Sequence, residues 1–113
     1  MERRNVSLLE VRMFTVQPGR RGEFDRISRD STIPMMRRWG IDVVSYGPAL
    51  NDEDGYVLLR VFASEEERVG VQERFYASEE WTENYEKPVM EMIADYRTAV
   101  LPLDTAPRER LGR

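Results

Sequence analysis

Leu8–Gly19 reads LLEVRMFTVQPG. Its Leu, Val, Phe and Thr residues suit a pleated, half-buried surface, and Pro18-Gly19 is a turn signal that stops the run. The stretch therefore predicts a strand with a helix launched directly after it. Alternation puts Leu9, Val11, Met13 and Thr15 on one face and Leu8, Glu10, Arg12, Phe14 and Val16 on the other. Neither face is plainly polar, so both are expected to be covered.

The same rhythm recurs along the chain. Arg20–Trp39 reads as a helix, because Phe24, Ile27, Ser31, Met35 and Trp39 recur at spacings of three and four. Asp25 and Arg29 form an i,i+4 pair in the favourable order. Pro34 removes one backbone bond and predicts a kink or a restart, and Gly40 supplies the C-terminal stop. Ile41–Tyr46 is the second strand, and Asn51–Gly55 is a hairpin loop of turn-forming and charged residues. Tyr56–Ala63, YVLLRVFA, is a third strand that is apolar on both faces except for Arg60. Ser64 and Glu67 form a capping box, opening a helix that turns Val69, Val71, Phe75 and Tyr76 inward. Ser78 caps a further segment with Trp81, Tyr85, Val89 and Ile93 four apart, and Pro88 begins a fresh turn within it. Ala94–Leu103 is the fourth strand, with Pro102 suited to its end or to an edge. Residues 1–103 form one domain by length. Residues 104–113 are polar and basic and read as a poorly ordered tail.

The order βαββαβ is the ferredoxin-like arrangement, an α+β fold with a four-stranded antiparallel sheet. Two helical layers cover one face of such a sheet and leave the other bare. An apolar face of that size exceeds what monomers usually expose, which predicts a homodimer joined sheet face to sheet face. The alternative cover is the tail or the long second helical region.

Composition narrows the chemistry. Apolar residues make up 41% and charged residues 34% of the 113, a balance that describes a folded, soluble chain. The net charge of −4, with both signs interspersed, argues against nucleic-acid binding. There is no cysteine and no histidine, so disulfides, thiolate nucleophiles, imidazole bases and the usual soft-metal ligands are all missing. Neither a metal nor a cofactor is expected. The acidic loop before Gly55 fails the calcium-loop template, since Leu50 and Val61 would stand at ligand positions. Glu65, Glu66, Glu67, Glu79 and Glu80 suit helix starts, and Gly19-x-x-Gly22 is a turn rather than a phosphate loop. No apolar run reaches the length of a signal peptide or the ~18 residues of a membrane span, so the expected compartment is the cytoplasm.

Two sets of residues stand out as candidates. Arg12, Arg60 and Arg97 lie in strands expected to be covered on both faces, where a charge requires a partner or a ligand. They fit structural salt bridges, with Glu10 or Asp95 as partners, or a barrel rim. The salt-bridge reading is the commoner one; an anion site is the alternative, since a guanidinium receives a carboxylate or enolate in bidentate fashion. The second set is the aromatics Trp39, Tyr46, Tyr56, Phe75, Tyr76, Trp81, Tyr85 and Tyr96; of these, Tyr46, Trp81, Tyr85 and Tyr96 fit either core positions or the wall of a pocket for a flat apolar ligand.

The segments LEVRMFTVQPGRRGEF, STIPMMRRWGIDVVSYG, DGYVLLRVFASEEER and ASEEW together resemble the NIPSNAP-like proteins of the dimeric α/β-barrel superfamily. The resemblance covers about Leu8 to Leu103. It rests on Glu10-x-Arg12 before Pro18-Gly19, on Ile33-Pro34, on Gly40 before a strand, and on Glu80-Trp81. It implies two four-stranded sheets closing a barrel across a dimer, and a pocket between sheet and helices in each protomer. Relatives in the wider superfamily include cofactor-independent monooxygenases of antibiotic biosynthesis, heme-degrading enzymes, isomerases and dehydratases. Where many relatives place a histidine after the arginine of the first helix, Trp39 follows Arg38 here, so no role that needs that histidine carries over. The resemblance and the residues together give pocket candidates Arg12, Tyr46, Arg60, Trp81, Tyr85 and Tyr96. They point to a homodimer that binds or converts a small aromatic or polyketide-like molecule, with Arg12 or Arg60 stabilising an enolate. The alternatives are a non-catalytic dimeric binding or structural module, and a cofactor-independent monooxygenase-like enzyme.

Overall fold

Strand β1 runs over Ser7–Val16 and is the hub of the molecule. The computed structural model describes residues 6–103; the predicted tail, 104–113, lies outside the described residues. After β1 come α1 (Arg21–Ile27), a π-turn (Ser28–Thr32) and α2 (Ile33–Arg38), then the hairpin of β2 (Asp42–Pro48) and β3 (Gly55–Phe62). Helices α3 (Glu65–Ala77), α4 (Glu79–Asn84) and α5 (Glu86–Met92) lead into β4 (Ile93–Leu103). The sheet order is β2-β3-β1-β4, antiparallel throughout. This is the predicted α+β, ferredoxin-like arrangement. Pro102 sits on the edge strand β4, where a missing ladder donor is tolerated.

Register places the chemistry. On the helix-covered face Glu10 stands between Arg60 and Val100, Arg12 between Leu58 and Thr98, and Phe14 between Tyr56 and Tyr96. The buried core lies between this face and the helices, with Val16, Phe24, Met35, Tyr56, Phe62, Phe75 and Met92 among its best-buried members. The opposite face carries Leu9, Val11, Met13, Val57, Leu59, Val61, Ala99 and Leu101, each part-exposed or exposed. Arg97 is also on that side, paired with Met13 and open to solvent, and Asp95 pairs with Thr15. Neither forms the buried ion pair that the sequence reading allows.

Three local predictions need correction. The helix expected over Arg20–Trp39 is interrupted by the π-turn, whose extra residue per turn rotates the chain. Thr32 is therefore buried, while Ser31, expected in the apolar stripe, is only half-buried; Ser28, one α-helical turn after Phe24, is buried as well. Pro34 falls in the first turn of α2, where its absent N–H costs nothing. In α3, Val71 and Phe75 are buried but Val69 is 42% exposed. Two helix positions apart is 200°, so Val69 and Val71 cannot share a face. Pro88 is third in α5 rather than first, still among the four positions whose N–H has no helical partner.

The capping prediction holds. Ser64 Oγ accepts from the Glu67 amide at 3.0 Å, and Glu67 reaches back to accept from the Ala63 amide at 2.6 Å. Ser78 caps α4 in the same manner, accepting from the Trp81 amide. The acidic hairpin loop is held by Arg21, which donates to the carbonyls of Ala49, Asp52 and Gly55.

Candidate functional site

A cavity of about 530 Å³ opens between the sheet and the helices. Its floor is Arg12, Phe14, Tyr56, Leu58 and Tyr96 from three adjacent strands. Phe24, Ser28, Thr32, Ile33 and Met36 roof it; Gln72, Tyr76 and Trp81 close one end; Glu86, Val89, Met90 and Ile93 complete the wall. The volume falls in the range of roughly 300–1,000 Å³ typical of ligand pockets. The rim is apolar as well as polar: Met90 and Tyr96 are about half exposed, at 48% and 49%.

Beside the floor, on the same face of the sheet, lies an ion network with a fully buried centre. Glu10 and Arg60 are both at 0% exposure. Arg60 donates to Glu10 Oε1 through Nε at 2.9 Å and also through Nη2. Glu10 Oε2 accepts from Arg68 Nη1 at 2.9 Å and from Gln72 Nε2 at 2.6 Å. Arg60 Nη1 also donates to the Tyr76 hydroxyl at 3.3 Å. Burial alone would push the Glu10 carboxyl up, but Arg60, Gln72 and Arg12 together outweigh it and hold it below the ordinary glutamate value.

Tyr56, 2% exposed, donates its hydroxyl to Asp25 at 2.7 Å, with Ser28 beside it. Burial and that hydrogen bond push its phenol well above the ordinary tyrosine value, so Tyr56 offers a neutral ring and a fixed hydroxyl. Two other buried polar groups on the wall are unmatched. The Thr32 hydroxyl, on a residue 6% exposed, and the Trp81 indole N–H, on a residue 5% exposed, find no hydrogen-bond partner among the described residues.

Of the six residues singled out from sequence, Arg12, Trp81 and Tyr96 line this cavity, with the Arg12 guanidinium 5.3 Å from the Tyr96 ring centroid. The other three lie elsewhere. Arg60 is locked in the ion network beside the floor. Tyr46 is turned toward Arg29 and Arg37, which approach its ring at 5.5 and 6.0 Å. Tyr85 packs at the α4–α5 junction, its amide donating to the Trp81 carbonyl. Sequence reasoning missed Ser28, Thr32 and Gln72, and it set Tyr56 and Tyr76 apart as aromatics without placing them in the pocket. Gln72 had a signal, being one turn from both Arg68 and Phe75 on the inward face of α3. Ser28 had a weak one, standing four residues after Phe24, whereas Thr32 in place of Ser31 depends on the π-turn. Trp39, where relatives are expected to carry histidine, donates its indole N–H to Glu80 at 3.3 Å beside an Arg38–Glu80 ion pair at 2.6 Å, tying α2 to α4.

The family model described as NIPSNAP matches residues 9–107. The chain belongs to the NIPSNAP family. Among solved structures it is similar to a NIPSNAP family protein from Agrobacterium tumefaciens, with TM-score 0.80, 15% identity, and coverage of 88% of this chain and 94% of that one. It is also similar to an uncharacterized NIPSNAP-like domain protein from Burkholderia xenovorans, with TM-score 0.81, 18% identity, and coverage of 91% and 89%. A putative antibiotic biosynthesis monooxygenase from Nitrosomonas europaea shares the fold at TM-score 0.66 and 12% identity, covering 91% of this chain and 95% of that one. At these identities the likeness is one of fold. None of the curated proteins matches the chain. Among the described residues of this NIPSNAP chain, no helix is long and apolar enough to cross a membrane.

Proposed function

We propose that this NIPSNAP protein binds a small, flat, largely apolar molecule in the cavity between its sheet and helices, and that it works as a homodimer through the open sheet face. The observation that carries the binding reading is the pair of polar groups, on buried residues, that find no partner among the described residues and stand on a largely apolar wall. An unpaired buried hydroxyl or indole N–H costs roughly 1–3 kcal/mol, and buried polar groups are nearly always paired. Thr32 and Trp81 are then partners in waiting, and the aromatic floor of Phe14, Tyr56 and Tyr96 gives a planar molecule its contact area.

The dimer reading rests on the sheet. Eight aliphatic or thioether side chains on three adjacent strands form one face that no helix among the described residues covers, and a patch of that kind marks an interface. A second copy related by a two-fold axis buries the same patch on both sides.

Titrating 2-naphthol onto the full chain by calorimetry tests the binding reading. Saturable 1:1 binding per protomer is expected, abolished by Thr32→Phe, which fills the cavity from its roof. Absence of binding, or unchanged binding in Thr32→Phe with its fold intact by circular dichroism, would remove it.

A further inference from the structure

Arg12 is the cation on the cavity wall, and among the described residues the fold provides it no carboxylate at hydrogen-bonding distance. Three guanidiniums converge on the single buried carboxylate Glu10, and two of them use it up. Arg60 takes Oε1; Arg68, with Gln72, takes Oε2. Arg12 Nη2 is left at 3.9 Å from Oε2. Arg68 has a second carboxylate of its own in Glu65. Arg12 has only neutral acceptors, Thr98 Oγ1 at 3.1 Å from Nε and Gln72 Oε1 at 3.5 Å from Nη2. A guanidinium carries five N–H donors in a planar fork, so most of this fork is uncommitted.

Its position makes that matter. The Arg12 side chain is 15% exposed and faces the cavity, so it is largely stripped of water yet short of a counter-charge, an arrangement that costs free energy unless an anion arrives. The Tyr96 ring offsets part of the deficit by cation–π contact. Glu86 is the other charged group on the wall, and it is exposed at the rim, with no ion pair to Arg12. The remaining unmatched polar groups, the Thr32 hydroxyl and the Trp81 N–H, are also able to donate. The cavity is therefore rich in donors and short of anionic acceptors.

We infer that the ligand is a planar organic anion, its negative oxygens received by the free N–H groups of Arg12 and its apolar body lying against Phe14, Tyr96 and Trp81. This rests on the reading of the cavity as a binding site and adds the charge of what it binds. A neutral hydrocarbon would leave Arg12 unpaired. A bare inorganic anion would leave the aromatic wall empty.

The test compares 2-naphthoate with 2-naphthamide, which share shape and differ in charge, by calorimetry on the full chain. The naphthoate is expected to bind about tenfold tighter or more, the gain of a hydrogen bond to a charged group. Arg12→Met brings the two affinities together, and Arg12→Lys, which keeps the charge but loses the fork, falls between. Equal affinity in the wild type, or a preference that survives Arg12→Met, overturns the anion assignment while the cavity still counts as a binding site. If neither probe binds, both readings fall. If Arg12→Met does not fold, the wild-type ratio of the two probes decides alone.

Discussion

At Glu10 one carboxylate neutralises two guanidiniums at close range and stands 3.9 Å from a third. Removing its charge strands Arg60 in a site with no water to solvate it. Glu10→Gln is expected to cost about 3–5 kcal/mol in urea unfolding, the range for breaking one side of a buried pair. The sign of the pH dependence follows from the direction of its shift. The folded pKa lies below that of the unfolded chain, about 4.3. The contribution is then complete above that unfolded value and is lost as pH falls through the lower folded one. The stability gap between wild type and Glu10→Gln should hold constant above about pH 5 and close in stronger acid; a gap that widens in acid would contradict the assignment. Thr32→Val addresses the opposite case, a polar group without a partner. It should leave unfolding stability unchanged or raise it by about 1 kcal/mol while weakening 2-naphthol binding. A clear loss of stability would mean that the hydroxyl is already satisfied. Both residues show the limits of reading sequence alone. The Arg60–Glu10 pairing was among the readings open from sequence, because a charge in a covered strand has few ways to be satisfied. That Arg68 and Gln72, from a helix some sixty residues away, complete the same site depends on tertiary packing that no local pattern carries.

At the scale of elements, chain order and caps were legible because they follow from short-range physics: strand propensity, Pro-Gly and Gly stops, and Ser N-caps. Ser64→Ala should lower stability by about 1 kcal/mol, read from the urea midpoint, with the loss concentrated in α3 hydrogen-exchange protection; an unchanged midpoint would mean the Ser64 side chain adds nothing to helix stability. The π-turn over Ser28–Thr32 was not legible. Pro34 announces a disturbance in the first helix, but the turn's extra residue puts Thr32 on the buried side in place of the expected Ser31, a rotation set by how α1 and α2 fit the sheet. The bulge at Val43–Ser45 in β2 similarly shifts register next to Tyr46, which lies against Arg29 and Arg37 rather than on the cavity wall. Two of the candidate site's surprises are thus single-residue irregularities, each too small to alter the local pattern and large enough to re-aim a side chain.

For the whole molecule, the two sheet faces divide the labour. The covered face holds the core, the ion network and the cavity; the open face holds aliphatic side chains and is where we propose that a second copy docks. Leu59 lies on the open face of the central strand β3 and touches none of the cavity. Leu59→Arg should convert a species of twice the 13.3 kDa chain mass into one of 13.3 kDa in sedimentation at micromolar concentration, with the fold retained. A wild type that already sediments at the single-chain mass would remove the dimer. The central claim, that the cavity is where this protein meets its ligand, is tested most directly by nuclear magnetic resonance mapping of 2-naphthoate on the isotopically labelled chain. Saturable shifts are predicted at the Trp81 indole, the Arg12 side chain and the amides of Ser28 and Thr32, with Val11 and Leu59 unmoved. No saturable shifts, or shifts confined to the open sheet face, would contradict it.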